Sequence, residues 1–168
     1  FAMSTVWHLL AVGAEAEASA ALNLIESETT GADAARALLA IRMGKLRSAQ
    51  QWLSATRGSP LRDLILAEWY AARDDNLQAA KALERFCEAP SPACLMVPAC
   101  RLQADILLRL RKDLNRAYGS AVLAWRLAPR GSRESLKSGL LVAELAMLHD
   151  EPTVAAAVTT ELAASFPE

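Results

Sequence analysis

Four stretches of the chain align with one another without a gap: GKLRSAQQWL (44–53), DNLQAAKALE (75–84), KDLNRAYGSA (112–121) and EPTVAAAVTT (151–160). Within them Leu46, Leu77 and Leu114 coincide, with Val154 one position further on, and three residues later so do Ala49, Ala80 and Ala117, with Ala157 again one position further on. A helical register explains the pair. Residues three apart share a helix face, so the aliphatic group packs the helix onto its predecessor just after a turn, and the alanine lets the two backbones approach closely. A small helical unit cannot bury its apolar face alone and must stack on its neighbours. This recurrence, at spacings of 31, 37 and 40 residues, limits the fold more tightly than any other feature of the sequence.

Breakers between the aligned stretches cut the chain into helix-length pieces. Ser4 to Gly13 and Ala14 to about Glu28 come first, and Thr29-Thr30-Gly31 interrupts. Asp33 is expected to cap a helix that Gly44 ends, and Lys45 to Thr56 follows. Ser59-Pro60 reads as N-cap and first helical residue of Leu61 to Arg73, and Asp74-Asp75-Asn76 turns the chain back into Leu77 to Ala89. Pro90, Pro92 and Pro98 bracket the longest loop; the next helices run from Val97 or Pro98 to Lys112 and on to Ala128. Ser132 to Leu148 and Thr153 to Phe166 close the series. Ala (35) and Leu (27) outnumber Ile and Val together (11), which favours helix over strand throughout. The expected fold is all-α, one solenoid domain of about 8–10 helices in hairpins near 4–28, 32–56, 60–89, 98–128 and 132–166.

Charge is segregated along the chain. All 18 Lys and Arg lie between Arg36 and Lys137, whereas the segments before and after carry five acids each and no base. Such a pattern attracts an acidic partner or pairs end to middle with a second copy, so a homo-oligomer is one expected state. No run of about 18 apolar residues is present to span a membrane. The apolar start runs into Glu15 and Glu17 without a basic leader, unlike a secretory signal. Phe1-Ala2 before Met3 reads either as an added leader, with Met3 the native start, or as the edge of a piece cut from a longer protein. Cys87, Cys94 and Cys100 are odd in number and lack CxxC spacing, which fits thiols in a reducing cytoplasm; a Cys87–Cys94 staple is the alternative in an oxidising compartment.

Catalysis and cofactor or metal binding are not expected. His8 and His149 are the two histidines, one in an apolar helix and one at a helix C-terminus where its proton complements the dipole. Asp74 and Asp75 are adjacent and point apart, whereas acid–base pairs need facing carboxylates. The cysteine spacing does not suit structural zinc, and RMGKLRS lacks the spacing of a phosphate-binding loop. The densest basic run, RLRKDLNR (109–116), has no interleaved aromatics and contains Asp113, so no nucleic-acid reader is expected.

The hairpin series resembles a degenerate tetratricopeptide (TPR) array, whose units are about 34 residues long. The small residue early in the second helix is matched at Ala49, Ala80, Ala117 and Ala157, and the terminal proline near Pro92 and Pro129. The first-helix Trp-Leu-Gly signature is absent; its Gly or Ala position holds Ala37, Glu68, Asp105 and Leu145. The resemblance implies a right-handed superhelix with a concave groove lined by first helices. Carried over residue by residue, the inward positions are Leu38, Ile41 and Arg42; Arg62, Ile65, Leu66, Trp69 and Arg73; Leu102, Gln103, Ile106 and Arg109; and Val142, Ala146 and His149. Arg42, Arg73 and Arg109 would then form a row beside Trp69 that clamps a carboxylate or an acidic helix. Trp52 and Trp125, on second helices, are assigned to packing between hairpins. The implied function is a non-enzymatic adaptor or chaperone that binds a peptide or an amphipathic helix. Phrases such as SAQQWL and AWRLAPRG are also similar to the effector-sensing helical repeats of large ATP-binding transcription activators of the maltose-regulator type.

Overall fold

The computed structural model describes residues 2–25, 30–56, 61–88 and 95–166. These form ten α-helices and no strand. They are α1 (Ala2–Val12), α2 (Glu15–Asn23), α3 (Thr30–Arg42), α4 (Leu46–Ala55), α5 (Arg62–Ala71), α6 (Asn76–Glu88), α7 (Met96–Arg109), α8 (Leu114–Leu127), α9 (Arg133–Leu148) and α10 (Pro152–Ser165). The all-α class expected from the Ala and Leu content is therefore observed. The chain divides into two compact units, Phe1–Leu95 with three hairpins and Met96–Glu168 with two.

One turn is used five times. Gly13, Gly44, Asp74, Arg111 and Asp150 all adopt a left-handed backbone, with φ between 50° and 80°. In each case the next N–H donates to the carbonyl five residues back: Ala14 to Leu9, Lys45 to Ala40, Asp75 to Tyr70, Lys112 to Leu107 and Glu151 to Ala146, at 2.8–3.0 Å. The turn residue itself donates three back, as Gly44 does to Ile41 at 2.9 Å and Arg111 to Leu108 at 3.0 Å. Together these bonds satisfy the last carbonyls of the first helix and reverse the chain within two or three residues. The second helix then begins, and its first internal bond is again common: Ala18, Ala49, Ala79, Ala117 and Ala155 donate to Ala14, Lys45, Asp75, Asp113 and Glu151. All five alanines are buried.

This corrects the register drawn from the aligned segments. Ala79, not Ala80, and Ala155, not Ala157, occupy the close-approach position; Ala80 is half-buried and Ala157 exposed. Leu77, aligned with Leu46 on sequence, is 50% exposed. The repeat is anchored on the left-handed residue, and the α7–α8 turn holds one residue more than the others. The hairpin at 2–23 shares the turn and is a full member of the series.

Capping follows local chemistry. The carboxylates of Asp75 and Asp113 accept from the N–H groups of Gln78 and Arg116, and the Ser132 hydroxyl accepts from Ser135 N–H. Asp33, expected as a cap, lies inside the first turn of α3, where it favours the helix dipole and pairs with Arg36 at 3.1 Å. Pro152 opens α10 as its first residue. The expected caps Ser59 and Pro60, Pro90, Pro92 and Cys94 lie outside the described residues.

Within the first unit α1 packs on α3 and α3 on α5, while α2 and α4 pack on the first helix that follows each. Leu10, Leu38, Leu64, Ile65, Leu83 and Phe86 fill its core. In the second unit α9 packs on both α7 and α8, and Leu108, Leu141, Val142, Leu145, Val158 and Leu162 form the centre. Gly139 is closely packed there. A Cβ at that position would stand 2.8 Å from the Leu162 Cδ2 and 3.1 Å from the Trp125 Nε1, so α9 meets both second helices at this point. Trp125 thus packs between hairpins.

Candidate functional site

In each unit a buried ion pair joins consecutive first helices. At the end of α3, the Arg42 Nη2 lies 2.9 Å from the Glu68 Oε1 on α5, and its Nη1 donates to the Leu10 carbonyl on α1. Both side chains are at least 90% buried. Arg42 therefore ties three helices, and Glu68 fills the position where a repeat of the resembled family carries a small residue. In the second unit, the Arg101 Nε on α7 donates to the Glu134 Oε2 on α9 at 2.7 Å, and Lys137 Nζ is 3.4 Å from the other oxygen. Glu134 is 1% exposed. Charges this deep persist only when paired and hydrogen-bonded, so both pairs set the spacing of the first helices.

Arg42 is not available to the expected arginine row. Arg42 is consumed by Glu68 and Leu10. The Arg73 guanidinium lies over the Trp69 ring, 4.4 Å from its centroid, a cation–π contact. Arg109 pairs with Asp105 on its own helix at 3.1 Å, in the unit apart from the other two. Leu38, Ile41, Ile65, Leu102 and Ile106, expected to line a groove, are core residues, as are Val142 and Ala146. Arg62, Leu66 and Trp69 remain half-buried on one face of α5. Gln103 is half-buried and accepts from the Ser120 hydroxyl at 2.9 Å. His149 caps α9 with its ring 5.6 Å from Tyr118.

The open face of the first helices in the second unit lies about one residue away from the expected one. It is a shallow cleft of about 260 Å³ between α7 and α9, lined by Arg101, Asp105, Lys137, Leu140, Leu141 and Glu144. On α7 the exposed line passes through Asp105 and Arg109 rather than Leu102 and Ile106. On α9 it passes through Leu140, Glu144, Met147 and Leu148, all exposed. The i, i+4, i+7 spacing of these residues was a signal available in the sequence. It was masked because both flanks of α9 are also apolar.

Two further clefts flank second helices. One of about 290 Å³ in the first unit includes Leu22, Leu39, Met43 and Trp52, with the Arg36 guanidinium 5.2 Å from the Trp52 ring centre. The other, of about 330 Å³, lies by the ends of α8 and α10 and includes Trp125, Arg126, Arg130 and Glu161. No group of three or more His, Cys, Asp and Glu side chains suited to a metal ion occurs among the described residues. None of the described helices is long and apolar enough to cross a membrane. Cys87 is exposed on α6 and Cys100 buried on α7. Compared with protein-family models, with curated proteins and with solved structures, the chain matches none.

Proposed function

We propose that this chain is a non-enzymatic protein-interaction module, a TPR-like array of helical hairpins with a right-handed superhelical stack, that binds a peptide or partner helix along its first helices. The observation that carries the reading is the cleft between α7 and α9, where exposed Leu140 stands among Asp105, Lys137 and Glu144. Aliphatic anchors beside charges of both signs suit an amphipathic helix or an extended segment with alternating side chains. The buried pairs beneath supply a rigid base, because Arg101 and Glu134 hold α7 and α9 at fixed separation.

The test is an array of helical and extended peptides presented to the full chain and to its Asp105→Arg variant, with both melted by circular dichroism. Peptides that bind the parent and lose at least about tenfold in affinity to an equally stable variant support the reading. An array without binders, together with a small metabolite that raises the melting temperature, would transfer the assignment to an effector-sensing domain.

A further inference from the structure

Within the first unit, the cleft of about 290 Å³ lies between two second helices, α2 and α4, both of which pack on α3. A hairpin of the same unit bounds it on each side. Its floor is apolar: Leu22 of α2 and Leu39 and Ala40 of α3 are buried beneath it. Met43, 48% exposed, and the half-buried Trp52 add a pliable thioether and an aromatic ring to the lining. Its charged lining is cationic only, with Arg36 at one end and Lys45 at the other. The Arg36 guanidinium stands 5.2 Å from the Trp52 ring centre, and Lys45 follows Met43 at the hairpin turn. Asp33 engages Arg36 at Nη1, and the guanidinium carries further N–H groups in a fork that fits a carboxylate. Lys45 is exposed and forms no ion pair among the described residues. From Arg36 to Met43 the floor helix advances seven residues, or about 10 Å.

We infer that this cleft receives an acidic amphipathic helix of a partner protein, with the pattern Glu-x-x-Leu-Leu-x-x-Glu. Two carboxylates seven residues apart match the two cationic ends, and the aliphatic pair between them covers Leu39 and Ala40. The pattern reads the same in both directions, so it fits either orientation of the partner helix. A small organic acid suits the site less well. Asn23, Met43, Lys45 and Ser48 are exposed along its mouth, whereas small-molecule sites enclose most of their ligand. A second copy of the chain is disfavoured too, because none of its ten described helices carries two acids seven residues apart. The cleft lies in the first unit and on second helices, so it is independent of the α7–α9 reading.

The experiment uses the full chain and two synthetic helical peptides of that pattern, one with Glu at both outer positions and one with Lys there. By fluorescence anisotropy at low salt, the Glu peptide is expected to bind at least about tenfold more tightly than the Lys peptide. Lys45→Glu and Met43→Asp, both changes at exposed side chains, should each lower that affinity at least about tenfold. A third peptide, with Lys at one outer position and Glu at the other, should recover binding to Lys45→Glu, which a disturbed fold could not give. Asp105→Arg should leave binding of the Glu peptide unchanged. Equal binding of the Glu and Lys peptides, or indifference to Lys45→Glu, overturns the inference. So does a concentration-dependent dimer of the chain alone that Met43→Asp abolishes, since the occupant would then be a second copy. Binding of decanoate, lost in Lys45→Glu, with no binding of the Glu peptide would overturn it in favour of a small acid. A response to Asp105→Arg without one to Lys45→Glu would put the peptide in the α7–α9 cleft, overturning this inference and leaving that reading intact.

Discussion

The two units solve one problem with the same pair of residue types placed at opposite ends of their helices. In the first, Arg42 sits in the last turn of α3, beside the hairpin turn, and reaches back to α1 as well as forward to α5. In the second, Arg101 lies near the start of α7 and meets Glu134 in the first turn of α9, far from the hairpin turn. The first arrangement makes one cation serve three helices; the second makes one carboxylate serve two cations. The difference teaches which partner is critical in each unit. Removing Arg42 strands a buried carboxylate, whereas removing Arg101 leaves Glu134 with Lys137.

That asymmetry is the most direct place to break the comparison. Arg42→Ala is expected to cost about 3–5 kcal/mol, the cost of an uncompensated buried charge, and Arg101→Ala clearly less, about 1.5–3 kcal/mol. Urea unfolding of the two variants decides it, and equal losses would mean that Lys137 does not substitute. Next in size is the repeat register. Ala79→Leu should destabilise by about 1–3 kcal/mol through overpacking, while Ala80→Leu should change stability by less than about 0.5 kcal/mol. The reverse order in thermal melts would restore the register based on Leu77. The smallest effect concerns the turns. Arg111 holds φ at 50° where Gly44 holds 73° with no such penalty, so Arg111→Gly should stabilise by about 1 kcal/mol in the same melts.

Much of the helical order was legible, and the errors share a cause. Gly13 and Gly44 announce their turns, but Asp74, Arg111 and Asp150 perform the same left-handed step without announcing it. The most visible recurrence in the sequence is therefore that of the leucines. In α6 the sequence offers Ala79 and Ala80 side by side, and in α10 it offers Ala155, Ala156 and Ala157. Neighbouring alanines are alike in propensity and nearly alike in hydropathy, so nothing local selects one of them. The same ambiguity displaces the expected site. Leu102 and Ile106 have the apolar spacing expected of a groove lining, yet they face the core, and the open line runs through Asp105 and Arg109.

The sequence by itself determined that the chain is helical, where its helices break, and that it is built from repeated hairpins, because propensity, caps and breakers act within a few residues. It also determined the acidic ends, since charge order is written directly in the chain. Only the tertiary structure decided which face of each alanine- and leucine-rich helix is buried. Such helices are apolar on several sides, and the choice depends on neighbours that lie about 30 to 40 residues away. It likewise decided that Arg42 is a structural tie and that Leu140 and Met147 of α9 are exposed. A buried charge and an exposed leucine look the same in a sequence until the helix that covers them, or fails to, is in place.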